Sequence, residues 1–109
     1  LCLVLLSSYS YSQEVSRDQL VEREGVYYKK FSTTPFTGTS VDFYENGQLL
    51  TKSNLKNGRD HGLYEVYYVN GQLERKGNYK NGKKDGLFEY YNENGKCKTK
   101  VNFKNGKRV

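Results

Sequence analysis

The middle of the chain has the sequence Gly62-Leu-Tyr-Glu-Val-Tyr-Tyr-Val-Asn-Gly-Gln-Leu-Glu-Arg-Lys-Gly-Asn-Tyr-Lys-Asn-Gly-Lys-Lys-Asp85. Residues 86–109 repeat this segment of 24 residues, and residues 38–61 repeat it more loosely. Glycine recurs at three fixed positions of every copy: Gly38, Gly62 and Gly86; Gly47, Gly71 and Gly95; Gly58, Gly82 and Gly106. A short fixed period is typical of arrays in which each unit buries its apolar face against its neighbours. The sequence therefore predicts three repeats, 38–61, 62–85 and 86–109.

Every copy contains two Asn-Gly pairs. The first set is Asn46-Gly47, Asn70-Gly71 and Asn94-Gly95, and the second is Asn57-Gly58, Asn81-Gly82 and Asn105-Gly106. Asn-Gly between alternating residues indicates a β-hairpin, because a type I′ turn needs positive φ at both central positions. We predict an all-β fold, an antiparallel β-hairpin meander built from the 24-residue repeats.

A two-residue loop at Asn70-Gly71 would set the register of the second repeat. It places Tyr68 opposite Leu73, and Tyr64 opposite Gly77, where the Tyr64 ring would cover the bare glycine backbone. One face then carries the larger apolar side chains, Tyr64, Val66, Tyr68, Leu73 and Tyr79. The other face is polar, with Glu65 opposite Lys76 and Tyr67 opposite Glu74.

The other two copies differ in how well they follow this pattern. The third groups Phe88, Tyr90, Cys97, Thr99, Val101 and Phe103 on the apolar face, with Glu89 opposite Lys100 behind them. In the first, Ser40, Asp42 and Thr51 occupy the positions where apolar residues are expected. We therefore expect the first repeat to cap the array or to carry a bulge that exchanges the two faces.

The segment before the repeats has two parts. Residues 1–12 begin with an apolar run and end in Ser10-Tyr-Ser12, which predicts a signal peptide lacking its start, with Gln13 as the mature N-terminus. A signal peptide predicts an exported protein, which would be periplasmic, on the cell surface or secreted. In the other interpretation residues 1–12 form a buried first strand, and the protein is cytoplasmic. Residues 13–37 form a predicted N-terminal cap, with a hairpin around Glu24-Gly25 that pairs with the first repeat and covers its edge.

Few residues could support catalysis. His61 is the only histidine and lies in a turn, without a nucleophile or an orienting partner nearby in sequence. One histidine and two cysteines do not make a zinc site, so neither a metal nor another cofactor is expected. Cys97 is the only cysteine after the predicted cleavage site, so we interpret it as an apolar packing residue or one that pairs between molecules. The chain is predicted not to be an enzyme.

The repeat resembles the MORN-repeat variant family, which includes bacterial proteins called YwqK-type antitoxins. The resemblance is carried by Tyr67-Tyr-Val-Asn-Gly-Gln-Leu73 and Asn78-Tyr-Lys-Asn-Gly-Lys-Lys-Asp-Gly86 and extends over roughly residues 18–109. Proteins of this family are described as scaffolds that contact proteins or lipids. The antitoxin label implies a protein that binds and neutralises a toxin partner.

The polar face is the predicted contact surface. The candidate partner-binding residues are Tyr67, Tyr91, Lys76, Lys98 and Lys100, because exposed tyrosines beside basic residues are typical of interfaces. The two tyrosines would alternatively serve only to support a thin sheet. The net charge of +6 disfavours basic partners. Two alternatives stay open: binding of a cell-surface glycan, because short hairpin arrays rich in Tyr and Gly also occur in wall-binding repeats, and contact with an acidic membrane through the basic turns. An unidentified protein, such as a toxin, is the expected partner, and no nucleic acid is expected.

Overall fold

The computed structural model describes residues 13–109, and these residues are nearly all β. The strands in chain order are β1 Gln13–Ser16, β2 Leu20–Arg23, β3 Val26–Lys29, β4 Gly38–Phe43, β5 Leu49–Lys56, β6 Arg59–Tyr67, β7 Leu73–Lys80, β8 Lys83–Lys84, β9 Gly86–Tyr91, β10 Cys97–Lys104 and β11 Lys107–Arg108. A short 3₁₀ helix, Arg17–Gln19, connects β1 and β2. The predicted signal peptide lies outside the described residues.

The repeats form one continuous sheet, which confirms the predicted all-β meander. Its nine strands follow the order β1-β4-β5-β6-β7-β9-β10-β11, and β8 pairs with β7. All pairs are antiparallel except β1 with β4, where Gln13 is opposite Gly38. The predicted hairpin around Glu24-Gly25 is present as β2–β3, but it forms a separate two-stranded sheet. The prediction that this hairpin covers the edge of the first repeat was wrong, because β1 occupies that edge.

The two sets of Asn-Gly pairs form different turns. In the second set, Asn57, Asn81 and Asn105 have φ of 53°, 51° and 53°, and the following glycines also have positive φ, as a type I′ turn requires. In the first set only the glycine has positive φ. Gly71 N donates to Tyr68 O, and Tyr68 N donates to Gln72 O, which makes a three-residue loop.

This longer loop changes the predicted register of the second repeat near the turn. Tyr67, rather than Tyr68, lies opposite Leu73, and Glu74 becomes the extra residue of a β-bulge. The prediction that Tyr67 faces Glu74 was therefore wrong. Farther from the turn the predicted pairs are present, including Tyr64 with Gly77 and Glu65 with Lys76.

Consecutive type I′ turns are joined by backbone hydrogen bonds. Gly82 N donates to Asp60 O at 2.8 Å, and Gly106 N donates to Lys84 O at 2.9 Å. Gly58 N makes the corresponding bond to Phe36 O at 2.7 Å, so the cap is joined to the first repeat in the same way as the repeats are joined to one another. These bonds satisfy turn amides that the hairpins themselves leave unpaired.

One face of the sheet, called the aromatic face below, carries a row of edge-to-face rings. The rings are Tyr64, Tyr79, Phe88 and Phe103, with successive centroids 5.3, 5.7 and 5.4 Å apart. Phe88 is fully buried, and Val66 beside the row is also buried. A Cβ added at Gly77 would lie 2.4 Å from the Phe88 ring. Phe88 therefore covers Gly77, and the prediction for Tyr64 was wrong because the Tyr64 ring packs on Tyr79 instead.

The first repeat keeps the same two faces as the others. Ser40 pairs with Ser53, Ser53 with Tyr64 and Tyr64 with Gly77, so the row crosses four strands without exchanging sides. The expected exchange of faces does not occur. Over this part of the aromatic face lies the cap, whose core consists of Val15, Leu20, Phe36 and Leu55, with Tyr27 packed against them.

The third repeat departs from its prediction at Cys97, the first residue of β10. Cys97 is exposed and pairs with Tyr91, because a bulge between Cys97 and Thr99 displaces the strand by one residue. The interpretation of Cys97 as a packing residue was therefore wrong. Thr99 is also exposed, whereas Val101 and Phe103 are half-buried.

We predict that Gly77→Ala lowers the free energy of unfolding by about 1–3 kcal/mol, since the added methyl group must displace the Phe88 ring. Gly77 has no positive φ, so steric overlap alone causes the loss. Chemical denaturation measures the effect. In a Phe88→Leu background the same substitution should cost clearly less, and an equal cost in both backgrounds would exclude the ring contact as the cause.

Candidate interaction face

A row of alternating charges crosses five strands on the face opposite the aromatic rings. Backbone pairing places Lys52 opposite Glu65, Glu65 opposite Lys76, Lys76 opposite Glu89 and Glu89 opposite Lys100. Each of the three inner charges thus has an opposite charge on both sides, and the row ends in lysine at each side. Lys76 Nζ lies 3.9 Å from Glu89 Oε1. We call the side of the sheet that carries this row the charged face.

Tyr67 and Tyr91 occupy the same position in successive repeats, next to the charge row. Each follows a glutamate by two residues and therefore lies on the charged face with it. The Tyr91 hydroxyl donates to Glu89 Oε1. This hydrogen bond raises the pKa of Tyr91 to about 12 and lowers the pKa of Glu89. Burial raises the pKa of Tyr67, and the neighbouring Glu65 raises it further.

Hydrogen bonds from two loop tyrosines hold the backbone of Tyr67 and Tyr91 in place. Tyr44 donates its hydroxyl proton to Tyr67 O at 2.7 Å, and Tyr68 does the same to Tyr91 O at 2.6 Å. Each bond connects the loop of one repeat to the strand of the next. The backbone at Tyr67 and Tyr91 is thus joined to the adjacent repeat, and the Tyr91 hydroxyl is held by Glu89 as well.

The five predicted partner-binding residues are only partly grouped. Four of them, Tyr67, Lys76, Tyr91 and Lys100, share the charged face, and of these Lys100 is exposed and the others are half-buried. Lys98 is exposed, but it is the extra residue of the bulge in β10 and lies outside the row.

Two leucines on the charged face were not among the predicted contact residues. Leu63 and Leu87 are opposite Asn78 and Asn102 and are 42% and 41% exposed. They alternate with Glu65 and Glu89 along their strands, so the second and third repeats each present leucine, glutamate and tyrosine on one side. The signal was present in the sequence, because a leucine follows the first glycine of both the second and the third copies.

A second feature is a basic cleft at the stacked type I′ turns. Arg59, Lys80 and Lys83 line a cleft of about 420 Å³ together with Asn81 and Asn105. Its lining has no carboxylate. A Cβ at Gly82 would lie 3.9 Å from Arg59 Cβ, so the side chain of one repeat passes beside the turn of the next. The basic turns therefore form one continuous surface.

Reactive groups are sparse in the described part of the chain. His61 Nδ1 accepts a hydrogen bond from Asn81 N at 3.4 Å and so helps to join two turns. Within residues 13–109 no group of three or more His, Cys, Asp or Glu side chains could hold a metal ion. Among the same residues there is no helix with the length and apolarity needed to cross a membrane.

The fold and this face define a tandem repeat protein of stacked β-hairpins, in which the second and third units present the same residues on the charged face. The three copies match the family described as MORN repeat variant at residues 36–57, 60–81 and 84–105. The chain belongs to this family, and its repeats indicate a scaffold for binding. No curated protein and no solved structure gives a significant match.

We predict that Tyr91 ionises only near pH 12 and that Glu89→Gln moves its pKa back toward the ordinary value of 10.0. Because the folded pKa of Tyr91 is raised, its contribution to stability is complete below about pH 10 and is lost as the pH rises to about 12. NMR of ring-labelled tyrosine measures the titration, with Tyr91→Phe to assign the resonance. An unchanged pKa in Glu89→Gln would show that the carboxylate is not the cause.

Proposed function

We propose that the protein is a non-catalytic scaffold that binds a protein partner on its charged face. The observation that carries this proposal is the regular alignment of three rows on that face: exposed leucines, alternating charges and tyrosines. Leucine supplies apolar area, and tyrosine is a frequent anchor residue of interfaces. The charge row favours one register of the partner over others.

The ends of the row suggest the charge of the partner. Inner charges are already compensated by their neighbours, so Lys52 and Lys100 are the ones with an uncompensated side. Together with the net charge of +6, this favours a partner whose surface is acidic. Residues that border the row, including Lys98, would lie at the polar rim of such an interface.

Neutralisation of a toxin is the more specific form of this proposal. It is supported by the resemblance to YwqK-type antitoxins, and export through residues 1–12 would place the binding event outside the cytoplasm. A toxin bound in this way would be inhibited by coverage of its surface rather than by a chemical reaction. The test compares the growth of cells that express the captured partner alone with the growth of cells that also express this protein. Neutralisation would restore growth.

We predict that Leu63→Ser/Leu87→Ser weakens partner binding at least about tenfold, since two exposed apolar contacts are lost without disturbing the buried rings. Partner capture by the purified protein followed by titration calorimetry measures the affinity. Phe31→Ser is the matched control, because Phe31 is fully exposed in the cap and away from the charged face. Unchanged affinity in the leucine variant, with unchanged thermal stability, would exclude this face.

The basic cleft favours a second candidate function, peripheral contact with an acidic membrane. Each lysine or arginine near an anionic surface contributes about 1 kcal/mol. The cleft brings Arg59, Lys80 and Lys83 together from successive turns. A cell-surface glycan with acidic groups would be attracted by the same charges. Binding to the isolated glycan and binding to anionic vesicles, measured side by side, distinguish the two partners.

We predict that sedimentation with vesicles rises with their phosphatidylserine content and falls in Arg59→Gln/Lys83→Gln. Lys98→Gln/Lys100→Gln removes the same net charge elsewhere and should have a smaller effect. Equal loss in both variants would mean that net charge, rather than the cleft, causes binding. Sedimentation independent of phosphatidylserine would exclude the membrane function.

A further inference from the structure

Two carboxylates of the first repeat have no counterpart in the other copies. Asp42 stands where the later repeats have an apolar or aromatic residue, Val66 and Tyr90. Asp60 stands where they have a cation, Lys84 and Arg108. A third difference is Ser40, which occupies the position of the rings of Tyr64 and Phe88. The second and third repeats thus show which residues are usual at these positions, and the structure shows where the three exceptions lie.

Both carboxylates line one cavity of about 300 Å³ on the aromatic face. The opposite walls are formed by the Tyr64 and Tyr79 rings and by Arg17 from the 3₁₀ helix. Ser40 is 1% exposed and supplies no ring, so the row of aromatic rings stops at Tyr64. The cavity lies beside Tyr64, the last ring of the row.

One polar side chain of the wall is almost completely buried and faces the cavity. Ser53 lines the cavity and is 3% exposed. Within residues 13–109 the Ser53 hydroxyl forms no hydrogen bond. Every fully buried side-chain nitrogen or oxygen of these residues does have a hydrogen-bond partner. Ser53 therefore places a polar group in the wall of the cavity.

The next repeat shows what occupies the equivalent place. Lys84 Nζ lies 5.0 Å from the centroid of Phe88 and 4.8 Å from that of Phe103. These two rings pack edge to face, 5.4 Å apart. A cation over a pair of rings is a favourable arrangement, because the ring face carries partial negative charge.

The first repeat has the same pair of rings but lacks the cation. Tyr64 and Tyr79 correspond to Phe88 and Phe103 and pack edge to face, 5.3 Å apart. At the position of Lys84 the chain has the carboxylate of Asp60. An ammonium group is thus replaced by a group that would bind one.

The two carboxylates of the cavity are balanced only in part by Arg17. Within residues 13–109 neither Asp42 nor Asp60 forms a salt bridge. Arg17 donates to the Tyr27 hydroxyl at 2.8 Å and lies over the Tyr27 ring, so part of its donor capacity is already used. Burial raises the pKa of Asp60 more than Arg17 lowers it. A second positive charge in the cavity would offset this loss of hydration.

We infer that the cavity binds an organic cation, an alkylammonium or guanidinium group placed over Tyr64 and Tyr79 and between Asp42 and Asp60. The cation would take the place that Lys84 holds one repeat later, and the carboxylates would neutralise it. An anion is disfavoured, because two carboxylates outnumber the single guanidinium of Arg17. The cation belongs either to a basic side chain of a peptide or to a free amine.

Titration of the protein with n-butylammonium and ethylguanidinium tests the site, followed by NMR of ring-labelled tyrosine. We expect saturable shifts of the Tyr64 and Tyr79 resonances. Sodium butyrate is the matched anion and should cause none. A short neutral peptide with one lysine distinguishes the sources: tighter binding than n-butylammonium assigns the cation to a side chain, and weaker binding assigns it to a free amine.

Asp60→Asn should weaken binding of n-butylammonium by about tenfold, because one of the two neutralising charges is removed. Asp18→Asn is the control, since it makes the same change in charge at an exposed position next to Arg17. If Asp60 is retained for a ligand, Asp60→Asn should leave thermal stability unchanged or higher. The absence of saturable shifts with both cations, or binding of butyrate instead, would overturn the inference.

Discussion

The stacking of the type I′ turns is the constraint on which the rest of the structure depends. At Gly58 the backbone has positive φ, and a Cβ there would meet Val26 Cγ1 and the Tyr27 backbone. The same glycine donates to Phe36 O and accepts from Tyr27 N. The geometry that only glycine adopts readily therefore serves both to close the hairpin and to join it to its neighbour. Where these bonds recur, they set the distance between repeats and bring equivalent residues into straight rows.

The number of repeats, their β-structure and the hairpin registers away from the turns could be predicted from the sequence. The two kinds of turn could not, because both contain Asn-Gly. What differs is the role of the asparagine: in the first set its side chain accepts from a nearby backbone N–H, as Asn70 Oδ1 does from Gln72 N. This bond supports a longer loop and a bulge, which moves the pairing of Tyr67 by one residue.

Only those contacts of the candidate site that join the two strands of one hairpin could be predicted from the sequence. The position of one turn is enough to predict each cross-strand pair. Both pairs are present in the structure, Glu65 with Lys76 and Glu89 with Lys100. The contact between Lys76 and Glu89 joins two hairpins, and its register depends on the packing of β9 against β7. No local signal specifies that packing, so the continuous charge row was not visible in the sequence. The cavity was missed for the same reason, since Arg17 comes from the cap.

The sequence separation of these contacts also orders the steps of folding. Pairings within and between the repeats join residues of the same or adjacent units, so closing them costs little chain entropy. The bond from Tyr27 N to Gly58 O spans more of the chain than any other backbone bond that joins these turns and loops. The repeats can therefore form before the cap docks on them. Arg17 belongs to the cap, so the cavity is complete only when the cap is docked on the repeats.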